Sequence, residues 1–356
     1  MLKSRRSHLK RFFEEYSLNA VLLTNLENIR YMCGFSGTEG ALLLSQDHAW
    51  FLCDSRYTAQ AAEEVQGVEI RECAPIRIDT IAALAHEYGF DRIGFEAAHT
   101  TVSAFRRMSG RLTGIELVEL GPDLDEIRIC KDRVEIERLE SVATLSSQAL
   151  GAVLGNIKPG VREVDIALAL EFEMRRRGAD GKAFDFIVAS GERGAMPHGR
   201  ASDKIIQPGE LVTIDFGALK DGYHSDETVT IACGQPGIRA QEIHSIVRTA
   251  HDLAIDAVRP GISCKDLDEV ARSYIRDKGY GEYFGHGLGH GVGLEIHEMP
   301  TLSPRSTGVL EEMMVITIEP GIYIPGFGGV RIEDTVVVTR DGCHVITSAD
   351  KNLLVL

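Results

Sequence analysis

Apolar runs of four residues alternate with helix-period stretches over the first third of the chain. A short apolar run bounded by turns reads as a strand, and apolar spacing of three and four reads as helix. On that basis residues 20–23, 41–44, 50–53 and 92–95 are strands, the middle two forming a hairpin around Gln46-Asp47. Residues 7–16 and 79–88 are helices. The pattern predicts a small α/β domain. Gly121-Pro122-Asp123 is turn chemistry and sets the expected division into residues 1–122 and 123–356. Beyond it, Asp132 is placed to cap a long helix reaching about Gly155, closed by Lys158-Pro159-Gly160.

The remainder is written twice. Thr213-Ile214-Asp215-Phe216-Gly217 matches Thr317-Ile318-Glu319-Pro320-Gly321, and Ser225-Asp226-Glu227-Thr228-Val229 matches Ile332-Glu333-Asp334-Thr335-Val336. Upstream, Pro159-Gly160 and the amphipathic stretch to Gly178 match Pro260-Gly261 and the stretch to Gly279. His198 and His297 form a further pair. The offset drifts a little along the chain, as small loop insertions would make it do. Two copies of a helix-then-strands unit are a duplication rather than a solenoid, which needs at least three. A pseudo-two-fold domain can bring one carboxylate pair from each half to its axis.

That arrangement gives the buried acids a purpose. Carboxylates inside apolar strands are costly unless something positive holds them. One such Asp is more often salt-bridged or solvated. Asp215, Asp226, Glu319 and Glu333 converging with His290 would instead form a hard, oxygen-rich pocket for two divalent cations. Metal-assisted hydrolysis is the leading chemistry, since paired divalent ions generate a hydroxide nucleophile at neutral pH. Asp226 and Glu333 hold matched places in the two halves. Glu319, beside such a nucleophile, could accept its proton as well as ligate. The glycines at 285, 287, 289, 291 and 293 would let the backbone approach substrate closely.

Composition narrows the field. The formal charge of −15 and pI of about 5.3 argue against a general nucleic-acid or anionic-membrane surface. No apolar run reaches the ~18 residues of a membrane span. The basic N-terminus, residues 1–11, is not followed directly by an apolar signal core. Seven scattered cysteines without Cys-x-x-Cys suit a reducing cytoplasm better than a disulfide framework. Cys233 and Cys264 lack a neighbouring base, and no Gly-x-Ser-x-Gly elbow is present. His224, His244, His251 and His344 read as surface or packing residues.

The ordered set Asp215, Asp226, His286-Gly287-Leu288-Gly289-His290, Glu319-Pro320-Gly321 and Arg331-Ile332-Glu333 resembles the pita-bread metallopeptidases. This is the superfamily of methionine aminopeptidase, aminopeptidase P and prolidase, and the resemblance covers roughly residues 125–356. Gly34-Phe35-Ser36-Gly37-Thr38 and Asp54-Ser55-Arg56-Tyr57 resemble the creatinase/prolidase-type N-terminal domain and favour the proline-specific branch, M24B. One departure is Thr228-Val229-Thr230, where proline peptidases often have Thr-Arg-Thr; its bearing is on local packing.

The resemblance implies an α/β (α+β) protein, with a small creatinase-like domain ahead of a pseudo-two-fold pita-bread catalytic domain. It implies an Xaa-Pro aminopeptidase that removes the residue before proline, with a strict Xaa-Pro dipeptidase (prolidase) as alternative. The rivals are a non-enzymatic binding module and a metal-free creatinase-like hydrolase on the same fold; the five retained ligands speak against both. Asp215, Asp226, His290, Glu319 and Glu333 would hold two ions, Mn²⁺ first and Co²⁺ or Zn²⁺ as alternatives. Asp215 and His290 would serve opposite ions. His286 and His198 would face substrate, and His297 would steady the tetrahedral intermediate. Arg331, two residues before Glu333, would hold a ligand carboxylate, and Tyr323 would hydrogen-bond. Partners would be short peptides with proline second and a second copy of the chain. The N-terminal domain would roof the site and limit peptide length.

Overall fold

The computed structural model describes residues 2–73 and 75–356, with side chains from residue 5 onward. It divides into two compact units, Met1–Arg128 and Ile129–Leu356.

The first unit is built on a six-stranded mixed sheet, in the order Glu69–Glu72, Ala49–Cys53, Ala41–Ser45, Ala20–Leu23, Arg92–Glu96, Glu116–Leu120. The inner strands are covered on both faces, so they read as continuous apolar runs instead of alternating ones. The expected hairpin is present, with Leu44 opposite Ala49. The two edge strands escaped the sequence pattern because Glu69–Glu72 is charged and mostly exposed, and Glu116–Leu120 sets two exposed glutamates among only partly buried apolar residues before Leu120. The helix expected over residues 7–16 is broken. Leu2–Ser7 and Lys10–Glu15 are separated at His8 and Leu9, whose amides bond three residues back, to Arg5 and Arg6. His8 Nδ1 also lies 3.1 Å from the carbonyl of Ile127.

The turn at Gly121-Pro122 opens a 3₁₀ segment, Pro122–Arg128, that packs with the first unit. Arg11 donates to Asp123 O at 2.8 Å and to Glu126 Oε2 at 2.9 Å, and Asn28 Nδ2 donates to Asp125 Oδ1 at 2.8 Å. The unit boundary therefore lies just beyond the turn expected to mark it.

The second unit carries the duplication in three dimensions. Each half supplies two helices, Arg133–Val153 with Glu163–Arg176 and Ile238–Ala257 with Cys264–Asp277. Asp132 caps the first through a reciprocal bond with Glu135. Gly160 and Gly261 precede matched helices, Gly178 and Gly279 follow them, and all four adopt left-handed φ between +84° and +96°. Each half then supplies an antiparallel strand pair: Glu210–Phe216 with Glu227–Cys233, and Val315–Ile318 with Asp334–Thr339. Ile243, Val247, Leu267 and Ile275 pack with Ile316, Ile318 and Val336 in one buried cluster. The halves join where the acids lie. Glu333 N donates to Thr228 O at 3.1 Å, and Thr230 Oγ1 donates to Arg331 O at 2.8 Å.

Candidate active site

Asp215 sits near the end of Glu210–Phe216, and Glu319 directly follows Val315–Ile318; Asp226 and Glu333 directly precede their partner strands. The repeat thus delivers two acids from each half to one cavity of about 620 Å³. His198, His286, His290, His297 and Arg331 line the same cavity. Tyr323 stands behind it, 2.9 Å from both His286 Nε2 and Arg331.

Asp226, His290 and Glu333 form the tightest group, with one ligand atom from each all within 4.8 Å of one another. Glu319 Oε1 lies 3.5 Å from His290 Nε2. Asp215 enters through Arg331, which donates to its Oδ2 at 2.5 Å. The sequence places Arg331 beside Glu333, but the structure joins it to an acid of the other half. Glu333 is held instead by Thr228, whose hydroxyl donates to Oε2 at 2.6 Å.

The electrostatics of this group call for a cation. Burial pushes the Asp226 and Glu333 carboxyls well above the usual range, and repulsion from the neighbouring acids pushes them further. Glu319 is raised to about 8 by burial, with Asp215 adding to the shift and Arg331 opposing it. Burial lowers His290 to about 4. Its Nδ1 lies 3.0 Å from Gly291 O and donates there, so the lone pair is on Nε2. That lone pair faces Asp226 Oδ2 at 3.6 Å. The spacing would suit an ion pair, but a neutral imidazole makes none, and lone pair meets carboxylate. Asp215 Oδ1 is buried without a hydrogen-bond partner. An orphaned oxygen, an outward lone pair and crowded acids together make a candidate site whose donors suit a hard divalent cation.

The other side chains form a donor chain. His286 Nδ1 lies 2.7 Å from Gly287 O, and burial first, then Arg331, lowers this ring to about 4. Its Nε2 is therefore an acceptor for the Tyr323 hydroxyl, which accepts from Arg331. Burial works against the charge of Arg331, but Tyr323, Asp215 and Glu319 raise its pKa well above the ordinary value. Burial raises Tyr323 to about 12, so it remains a phenol. The His297 ring packs edge-on against His290 with centroids 4.4 Å apart. His198 reaches the cavity from the loop after Gly191–Ala195.

Thr228 and Thr317 escaped the sequence reading. Thr317 Oγ1 accepts from His290 N at 3.1 Å and lies 3.4 Å from Glu319. The available signal was alternation: each threonine is two positions from an acid and so shares its strand face. The glycine run also has another cause. A Cβ on Gly289 would lie 2.0 Å from Thr317 O, so the absence of a side chain there is already required by the close approach between strands. Cys233 and Cys264 are buried thiols raised by that burial, and neither lines the cavity. Among the other histidines, His244 and His251 are buried, and His344 is exposed.

Residues 137–340 match the model for metallopeptidase family M24, and residues 5–130 match that for the creatinase/prolidase N-terminal domain. The chain belongs to metallopeptidase family M24. An Xaa-Pro dipeptidase from Pyrococcus furiosus is 39% identical over 99% of this chain and 100% of its own. The solved structure of an Xaa-Pro dipeptidase from Bacillus anthracis is 43% identical, covers 100% of both chains and superposes with a TM-score of 0.98. That of an X-Pro aminopeptidase from Thermotoga maritima is 39% identical over 96% of this chain and 98% of its own, with a TM-score of 0.90. This M24 member is a peptidase, with a creatinase-type first unit and a pita-bread second unit. No helix among its described residues is long and apolar enough to cross a membrane.

Proposed function

We propose that the protein is a metal-dependent Xaa-Pro peptidase that hydrolyses the bond between an N-terminal residue and a following proline. One observation carries the reading: Asp215, Asp226, His290, Glu319 and Glu333 meet in a single cavity, arranged as donors with no cation of their own beyond Arg331 among the described residues. Two divalent ions bound there would supply a hydroxide nucleophile and polarise the scissile carbonyl. Mn²⁺ suits four carboxylates and one imidazole better than metals that seek thiolates, with Co²⁺ or Zn²⁺ as substitutes. Proline specificity follows from the relatives' activities.

The chain's own side chains have separable tasks. Arg331 fixes one oxygen of Asp215 and leaves the other aimed inward. Glu319, which also lines the cavity, would accept a proton beside bound cations. His297 and His198 border the space where a carbonyl oxygen would gain charge, and each can donate to it. Tyr323 and Arg331 hold His286 in one tautomer against the cavity wall.

Peptide length separates two versions of this activity. A dipeptide places its free carboxylate on the proline itself, where a cation would hold it. The arginines lining the cavity are Arg331, bound to Asp215, and Arg200, paired with Asp185 at 2.9 Å. That favours aminopeptidase action on longer substrates. The dipeptidases among its relatives favour strict dipeptide cleavage. Chelator-stripped enzyme, reloaded with Mn²⁺ and assayed on Xaa-Pro against Xaa-Pro-Yaa, separates them. No cleavage of either substrate at any metal loading would overturn the whole proposal. We place the enzyme in the cytoplasm, as a homodimer whose N-terminal unit restricts substrates to short peptides. Light scattering at twice 39.0 kDa and a steep fall in rate with peptide length test the last two points.

A further inference from the structure

The two acid doublets divide across their strands. Successive strand residues point to opposite faces. In Asp226-Glu227 and Glu333-Asp334, the first acid of each doublet lines the cavity and the second does not. Glu227 is 0% exposed and Asp334 7%. Two buried carboxylates therefore lie directly behind the proposed ligands.

They share one cation. Lys351, from the segment after the last strand and only 5% exposed, donates through Nζ to Glu227 Oε1 and to Asp334 Oδ1, the latter at 3.0 Å. The surrounding donors complete the cluster. Ser147 Oγ donates to Glu227 Oε2 at 2.6 Å, Ala349 N to Glu227 Oε1 at 2.8 Å, and Thr347 Oγ1 to Asp334 Oδ1 at 2.6 Å. His251 Nε2 lies 3.2 Å from Asp334 Oδ2, close enough for an ion pair. The segment that brings Lys351 is itself anchored, since Ser348 N donates to Ser147 Oγ at 3.1 Å and Ile346 N to Thr335 O at 3.0 Å.

We propose that Lys351 is a positioning residue for the cation site, setting the spacing of Asp226 and Glu333 by tying Glu227 to Asp334. Each tied acid is covalently adjacent to a ligand, so the ammonium clamps the two ligand-bearing strand ends from behind. The front contacts join the same two segments through Glu333 N on Thr228 O, Thr335 Oγ1 on Asp226 O at 2.7 Å and Thr228 Oγ1 on Glu333 Oε2 at 2.6 Å, so the clamp behind acts together with them. Without Lys351, Glu227 and Asp334 would face each other as buried like charges with His251, beside Asp334 alone, to offset them, a destabilising arrangement. They would relax by moving apart and would carry Asp226 and Glu333 with them. A role confined to docking the C-terminal segment would instead change stability and leave the folded site's affinity alone.

The inference rests on the metal reading above. It is tested by titrating Mn²⁺ into chelator-stripped full-length protein by calorimetry, with circular dichroism establishing which variants are folded. Lys351→Met should weaken Mn²⁺ binding by roughly 10–100-fold, as loss of an orienting residue behind a ligand does elsewhere. Lys351→Arg, which keeps the charge, should return most of the affinity. The Co²⁺ absorption spectrum should change in Lys351→Met and recover in Lys351→Arg. If Lys351→Met does not fold, Glu227→Gln carries the test, because it keeps the side chain's shape and removes one tied charge; weaker Mn²⁺ binding is expected again. Parent-like affinity in every folded variant overturns the inference alone. A parent chain that takes up no divalent cation overturns the metal reading and this inference with it.

Discussion

The Arg331 guanidinium lies 2.5 Å from Asp215 Oδ2, joining an acid of one half of the duplicated unit to a base of the other. Both are buried, and the same guanidinium reaches Tyr323, the carbonyl of Pro197 and Thr228. Arg331→Met would leave Asp215 uncompensated among three other acids. Breaking a buried pair from one side typically costs about 3–5 kcal/mol. Denaturant unfolding of the stripped protein should show a loss of that order, and added Mn²⁺ should restore part of it. A variant as stable as the parent would mean that Asp215 is held by something else.

Asp226→Ala and Glu333→Ala should each abolish turnover and leave the stripped protein folded. Both acids are destabilised by burial and mutual repulsion, so truncating either relieves strain in the absence of cations. The expected signature is lost activity and lost metal with an unchanged or higher unfolding temperature. Near-normal turnover in either variant would remove that residue from the ligand set.

His297→Ala should lower kcat by on the order of 10²–10³, the usual loss for one donor to a developing oxyanion. Metal content should stay at the parent level, because His297 stands beside His290 and not in the tight ligand group. Metal loss with kcat recovered at excess Mn²⁺ would instead make it a ligand or a support for one.

His244, which does not line the cavity, predicts a pH dependence of stability. Its ring is buried, Nε2 has no hydrogen-bond partner among the described residues, and burial lowers its pKa to about 4 against the opposing effect of a contact with the Thr230 backbone. The unfolded chain takes up this proton near pH 6.5, the folded one only near 4. The unfolded state therefore binds more protons between those values, and stability falls as pH drops from 6.5 toward 4. The contribution is at most about 3 kcal/mol. His244→Leu should flatten that part of the curve in the stripped protein. An unchanged slope would show that other groups set it.

Much of the catalytic unit was legible because its signals are local or repeated. The Asp132 cap, the paired glycines and the doubled acid segments need only neighbours in sequence to be recognised. The broken N-terminal helix and the charged edge strands were not legible. The first depends on burial of Leu9 and Phe12 and a contact with Ile127, and the second on pairing with strands whose register the chain does not announce.

For the site, the doubled acid segments, one pair per half with a histidine between, were enough to name the candidates that line one cavity. The sequence by itself could not determine which partner each would take. Arg331 stands two residues from Glu333 in the chain but binds Asp215, and Thr228 takes Glu333. Nor could it show that Glu227 and Asp334, each written beside a candidate ligand as an acidic doublet, face the other way onto Lys351. The physical reason is that strand alternation fixes only the side to which a residue points. What it meets there depends on how two halves, about a hundred residues apart, pack across their seam.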